Sequence, residues 1–317
     1  MLKKIQVVPY NSNWPKLFEA ESKLIQEDLG DNCIAIHHVG STSIPELAAK
    51  PKIDIIAVVR DLLFAKKQLT SLGHISRGGF NLPLRKTFDL KNKKADFNLH
   101  VFEENDPEIE LNILFRNYLR ENISEREKYA ILKYNLIKEE SSHEKLGPIY
   151  TGYTLGKHNF IQDILNKAGF NKHRFVLCTH YSEWDAAKYF RNTYFFGPYG
   201  IKDPYTWTFD HEDHAHLLLY QGTEIISYSH IQFWQDQRAA IRIIAIDEKA
   251  RGKNCGSLFL ALIEKWLKMQ DIKSIHAESR QSSLSFYLKN GYKEMPFDDP
   301  ANRESDLNDI AIGKMLR

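Results

Sequence analysis

The sequence predicts an α/β chain of two domains. The first is a mixed sheet with helices, and the second a central, mostly antiparallel sheet flanked by helices. Three observations predict it. The chain has 317 residues, a length that favours two cores over one. β-branched runs alternate with apolar-periodic stretches in both halves. A short polar stretch, Asn171-Lys172-His173, separates the halves and places the domains at residues 1–170 and 173–317.

Composition narrows the function classes. Apolar content of 43% with 26% charged residues suits packed globular domains. A net charge of +2 is too small to signal a nucleic-acid or membrane partner. Cys33, Cys178 and Cys255 are odd in number and far apart. They form no disulfide framework and no zinc pattern, which suits a reducing cytosol, so a cytoplasmic location is expected. The N-terminus lacks the apolar core of a signal peptide, and no run is apolar enough to span a bilayer.

In the first domain, residues 4–9 read as a short strand. Asn13-Trp14-Pro15 opens an amphipathic helix carrying Leu17, Phe18, Leu24, Ile25 and Leu29. Ile34 to Val39 reads as a strand running into the small-residue turn Gly40-Ser41-Thr42-Ser43-Ile44-Pro45, which can present amides and hydroxyls to phosphate. After Lys50-Pro51, Ile53 to Val59 is a second strand interrupted by Asp54. An acid among Ile and Val is costly to bury unpaired. Either it bonds local backbone, or it serves as a magnesium ligand facing the Gly-Ser turn. Residues 107–120 and 124–137 show helical periodicity, with Ser124 and Glu127 spaced as a capping box, and a last helix spans about 156–168.

The residues Tyr10-x-x-x-Trp14, Gly40-Ser41-Thr42-Ser43-Ile44-Pro45, Lys50-Pro51-x-Ile53-Asp54-Ile55, Asn98-Leu99-His100-Val101 and Leu114-Phe115-Arg116-Asn117-Tyr118 make this half resemble the GrpB family. That resemblance implies the fold of the DNA-polymerase-β-like nucleotidyltransferases. It also implies a nucleotide site at Gly40, Ser41, Thr42, Ser43, Lys50, Asp54 and His100, with Mg2+ on Asp54. Active members of that fold pair two acids on the strand for two metals. Here the second position is Ile56, and Asp96 is the other carboxylate within sequence reach.

The second domain opens with a strand at 174–179 and a helix at 184–194, then the aromatic loop Phe195 to Phe209, a candidate substrate-cleft wall or a packed surface loop. Asp210 to His216 clusters His and acids without a standard zinc spacing; the acids suit an ammonium substrate. Strands follow at 216–220 and 224–233, then 239–246, giving a meander. The last of these feeds the basic, small-residue turn Lys249 to Gly256, after which Ser257 opens an apolar helix. A strand, a turn of small residues and a helix N-terminus make an anion site, since the first helical amides lack intrahelical partners. A plain turn has the same composition. A strand at 274–278, a helix ending at Gly291 and closing strands at 292–296 and 309–316 complete the domain.

Arg251-x-x-Asn254-x-Gly256 and Ser283-x-x-Phe286-Tyr287-x-x-x-Gly291-Tyr292 resemble the pyrophosphate loop and the Phe-Tyr element of the GNAT superfamily of N-acetyltransferases. Asn254 stands where glycine is usual, and Asn tolerates left-handed backbone. The resemblance implies acetyl-coenzyme A as acyl donor and a small-molecule or peptide amine as acceptor. It assigns the cofactor to Ile244, Ala245, Ile246, Arg251, Gly252, Lys253, Asn254, Cys255, Gly256 and Ser257, and makes Tyr287 the acid at the departing thiolate. Glu278 is the first candidate for the base, followed by His230 and His276. Two rivals stand beside this: a nucleotidyltransferase whose second domain senses acetyl-coenzyme A, and a pair of binding modules.

Overall fold

The computed structural model describes residues 4–91, 95–143, 145–146, 150–300 and 308–316. It divides into two compact units, Met1–Lys172 and His173–Arg317.

Unit 1 runs α1 Trp14–Leu29, β1 Cys33–Val39, β2 Ile53–Val59, α2 Leu62–Ser71, β3 Ile75–Gly78, β4 Lys86–Asp89, β5 Phe97–Glu103, α3 Pro107–Glu121, α4 Ile123–Leu136, the short pair β6 Lys145–Leu146 and β7 Tyr150–Thr151, α5 Gly152–Leu155 and α6 His158–Lys167. Among the described residues its main sheet has the order β1-β2-β5-β4-β3. β1 runs antiparallel to β2, and β2 parallel to β5. Strand β2 is an inner strand, between β1 and β5, and its apolar residues are all buried, which is why it reads as a continuous β-branched run. Helices α3, α4 and α6 close a second core of Ile44, Leu47, Leu119, Tyr129 and Ile164. Residues 4–9 are not a strand; they make one bridge, Val8 to Ala49. Helix α4 starts at Ile123 with Asn122 as N-cap, so Ser124 lies inside the helix and makes no capping box. The expected helix at 156–168 begins at His158, after the separate turn α5.

Unit 2 runs β8 His173–Leu177, α7 Tyr181–Arg191, β9 His214–Gln221, β10 Glu224–Trp234, β11 Arg238–Ile246, α8 Cys255–Met269, β12 Ser274–Ser279, α9 Gln281–Lys289, β13 Lys293–Glu294 and β14 Ile310–Met315. Its described strands form one sheet, β13-β14-β12-β11-β10-β9-β8. All pairings are antiparallel except β11 with β12. Helix α8 covers one face: Phe259, Leu260, Ile263 and Leu267 are fully buried, and Trp266 meets Phe175 and Phe233 edge to face. Each such Leu or Ile contributes roughly 1.5–3 kcal/mol. Helix α7 covers the other face, with Phe190 against Tyr228. It begins at Tyr181, capped by His180 and Glu183, and passes into a π-turn at Asn192–Phe196. The closing strand expected at 292–296 is only β13, two residues long. No described helix is long and apolar enough to cross a membrane.

Candidate functional site

The parallel ladder between β11 and β12 ends at Ile241 and Ala277. Strand β11 continues to Ile246 along β10, while β12 continues to Ser279 along β14. The two strands therefore part, and a cleft of about 480 Å³ opens between them. Its walls include Ile244, Ala245, Ile246, Arg251, Glu278, Arg280, Phe286 and Tyr287, with Tyr194 and Phe195 from the π-turn. A bulge assists the parting: Ile231 pairs with Ile241 but His230 with Ile243, leaving Arg242 as the extra residue. Main-chain direction alternates along a strand. Asp247 N–H bonds Ile226 of β10, so Ile246 and Ile244 turn their main chain to the open edge. There Arg251 Nε donates to the Ile246 carbonyl at 3.1 Å.

Past this edge the predicted cofactor residues form a tight turn. Gly252 has φ +75° and Asn254 φ +61°. Asn254 is the N-cap of α8, makes no side-chain cap bond and sits in the left-handed region. It thus adopts the backbone that the glycine usual at that position adopts freely. The helix opens at Cys255, two residues earlier than expected, so Cys255, Gly256 and Ser257 are its first turn, where amides lack intrahelical acceptors. A Cβ on Gly256 would lie 3.1 Å from Phe286 and 3.6 Å from Ile246, so a larger residue would make the Phe286 ring of α9 give way by a few tenths of an ångström. The Cys255 thiol is buried, 3.8 Å from His173 Nε2. The Lys253 carbonyl faces that thiol at 3.8 Å.

Tyr287 is buried against Phe286 and Tyr292, with ring centroids 5.2 and 5.3 Å away, and burial pushes its phenol well above the ordinary range. It holds a proton across the whole working pH range. Glu278 is half-buried at the end of β12, in the same cleft. His230 does not face the cleft as a base. Arg191 donates to its Nδ1 at 3.2 Å, so its proton sits on Nε2 and points to His214 Nδ1 at 2.8 Å. His276 is stacked on Trp234, with Nε2 bonded to Ser274; it is a packed histidine.

Two features escaped the sequence reading. Arg242, a charge inside an Ile-rich strand, is clamped by Asp299 and Gln232 at the cleft; the odd charge was the available signal. Arg191 is fully buried, bonds Asp203 at 2.6 and 2.7 Å, and also reaches Tyr228. It ties Asp203, in the middle of the aromatic loop, to the end of α7 and to Tyr228 of the sheet. The His211 to His216 stretch is partly β9, and no group of three or more metal-type ligands gathers among the described residues.

In unit 1 the turn after β1 is a 3₁₀ turn, Ser41–Ser43, with Gly40 at φ +69°. A Cβ there would collide with Asp54 Oδ2, so the turn and the strand acid do face each other. Asp54 Oδ1 accepts from Asn98 at 2.9 Å and lies 3.8 Å from His100. Burial would raise this carboxyl, but hydrogen bonds from His100 and Asn98 hold it below its usual range. Thr42 and Ser43 are buried, Thr42 bonding His38. Ile56 is 1% exposed, and Asp96 pairs with Lys52 at 3.6 Å. One carboxylate, an amide and an imidazole do not fit the donor set of a two-magnesium centre.

Comparison with known proteins bears on both units. The GrpB protein family matches residues 4–167, half of the chain. The chain belongs to the GrpB family. The acetyltransferase (GNAT) family matches residues 182–292, and unit 2 is a GNAT-like domain. The UPF0157 protein BH1888 of Halalkalibacterium halodurans is 36% identical over 169 residues, 52% of this chain and 82% of its own length. The crystal structure of the conserved protein GrpB from Enterococcus faecalis is 30% identical, with TM-score 0.45, covering 51% of this chain and 96% of that one. An acetyltransferase of the GNAT family from Staphylococcus aureus is 17% identical, with TM-score 0.40, covering 46% and 100%.

Proposed function

We propose that unit 2 is an N-acetyltransferase that moves an acetyl group from acetyl-coenzyme A to an amine of a small molecule or peptide. The observation that carries it is the open main-chain edge of β11 with a protonated phenol in the same cleft. The residues present suit the donor. Amides at 252–257 offer a diphosphate cradle at the start of α8, and Ile244 and Ile246 offer main-chain bonds to an extended amide-bearing arm. Acetyl-coenzyme A supplies an activated thioester.

Glu278 takes a proton from the acceptor ammonium, freeing the lone pair that bonds to the acetyl carbon. Tyr287 gives its proton to the sulfur as the carbon–sulfur bond breaks, and the second proton that the acetylated nitrogen must lose restores the phenol. A placed acid is worth roughly 10²–10⁴-fold, and positioning along the strand edge supplies much of the rest.

The test is acetyl transfer to a panel of amines by wild type and Tyr287→Phe. We expect at least one amine to be acetylated, with kcat about 100-fold lower in the variant and coenzyme A affinity unchanged. Equal kcat in both proteins would remove Tyr287 from the mechanism. Absence of coenzyme A binding would overturn the proposal.

A further inference from the structure

The direction of the acyl donor fixes which end of the cleft is reactive. The diphosphate cradle follows β11, and the arm runs back along Ile246 and then Ile244. The acyl carbon therefore lies beyond Ile244, toward the bulge at Arg242, and the amine must meet it there. Around that inner end the cleft is walled by Ala240, Ile241, Ile243, Ala277 and Phe297. The carboxylates stand farther out. Glu278 pairs with Ala311, and Asp309 precedes Ile310, the partner of Ser279 at the end of β12.

Phe297 belongs to the connection between β13 and β14, and it is held from several sides. Its ring is half-buried, 5.4 Å from Trp234 and 5.1 Å from His276. Two residues on, Asp299 accepts from Arg242 Nη2 at 2.7 Å, with Arg242 Nη1 2.6 Å from its other oxygen. Arg242 Nε donates to Gln232 at 2.8 Å, and the guanidinium lies 5.3 Å over Trp234. Arg238 donates to the Asp298 carbonyl at 3.4 Å. The side chains of Arg242 and Asp299 are only 7% and 9% exposed. Their charges answer each other and are spent on holding the connection. Such a pair fixes one arrangement, because moving the connection away would leave a charge unpaired out of water. What the connection presents to the cleft is the Phe297 ring.

We infer that the acceptor amine carries an apolar group that packs against Phe297, and that Arg242 is the positioning residue that holds this ring in the wall. The bulge thus has a second use: its extra residue reaches across to fix the surface that the acceptor meets. An apolar wall beside a few placed polar groups is the usual make-up of a small-molecule site. The inference rests on the acetyltransferase reading and narrows its acceptor.

Acetyl transfer by the full chain is measured with phenethylamine, ethylamine and putrescine at saturating acetyl-coenzyme A. We expect kcat/KM for phenethylamine to exceed that for either other amine by at least about tenfold. In Phe297→Ala and in Arg242→Met that preference should fall at least about fivefold, through KM more than kcat, while calorimetric coenzyme A affinity stays within about threefold. Phe297→Leu, which keeps an apolar wall, should lose less than Phe297→Ala. Because Phe297→Ala leaves the ion pair in place, it reads the wall even where Arg242→Met melts early. A preference for putrescine, or a preference for phenethylamine that survives both variants, would overturn the inference. So would transfer to none of the three by a chain that binds coenzyme A, a result that leaves the acetyltransferase reading to other amines. A chain that does not bind coenzyme A loses both.

Discussion

Replacing Arg191 with Met probes how the aromatic wall of the cleft is held. The guanidinium is fully buried, bidentate to Asp203, bonded to Tyr228 and His230, and enclosed by Phe196 and Phe209 at 5.5 and 5.1 Å. Met fills similar volume but removes every donor. Asp203, whose side chain is 16% exposed, is left without its cation. Breaking such a pair costs about 3–5 kcal/mol, and the partial exposure of Asp203 places the loss near ~3 kcal/mol. For a unit of this size that lowers Tm by roughly 10 °C. Four of the five tryptophans, Trp184, Trp207, Trp234 and Trp266, lie in unit 2, so fluorescence-detected melting reports this unit. Arg191→Met with Asp203→Leu should recover more than half of the loss, because the orphaned charge goes too. A drop below about 1 kcal/mol, or a double variant no better than the single, would refute the reasoning.

Other outcomes follow from the same geometry. Burial alone would raise the Asp203 carboxyl, yet bonds from Arg191 hold it below its usual range. Its contribution is therefore complete above the unfolded carboxyl pKa of about 3.9 and is lost as pH falls through the lower folded value. The melting gap between wild type and Arg191→Met should accordingly narrow in acid; a constant gap from pH 7 to 3 would contradict this. Gly256→Val puts bulk 3.1 Å from Phe286, which adjoins Tyr287. We expect about 1–3 kcal/mol of destabilisation and a fall in kcat of up to about 100-fold, measured by melting and turnover. Asn254→Gly should leave coenzyme A affinity within about threefold, whereas Asn254→Val, at φ +61°, should destabilise the turn by about 1–2 kcal/mol and weaken binding. Equal affinity in the two would show that the left-handed backbone is not what the turn requires.

Local chemistry made much of the architecture legible. Strand β2 is a β-branched run with both faces covered, and it was read with its observed ends, Ile53–Val59. The meander was legible because Gln221-Gly222-Thr223 can only turn, and Gly222 has φ +59°. What failed depended on distant partners. Residues 4–9 look like a strand locally, but their one β-bridge is Val8 to Ala49, and Ile5 N–H goes to His143 Nδ1 instead of to a strand. Ser124 has the right spacing for a capping box, yet the helix already begins at Ile123, and Asn122 at its N-cap turns its amide back to the Tyr118 carbonyl. The Arg191 network joins residues 12, 37 and 39 positions away, a separation no periodicity encodes. Arg242 and Asp54 share one signal, a charge in an aliphatic strand, and only the fold assigns the partners: Asp299 for one, Asn98 for the other.

Hydrogen exchange across residues 239–257, followed by mass spectrometry with and without coenzyme A, tests the acyl-donor site most directly. Peptides containing Ile244, Ile246 and the first turn of α8 should exchange at least about tenfold more slowly at saturation, while the β9–β10 hairpin stays unchanged. Protection that is absent from this stretch at saturating coenzyme A, or that falls elsewhere in the chain, would contradict the assignment.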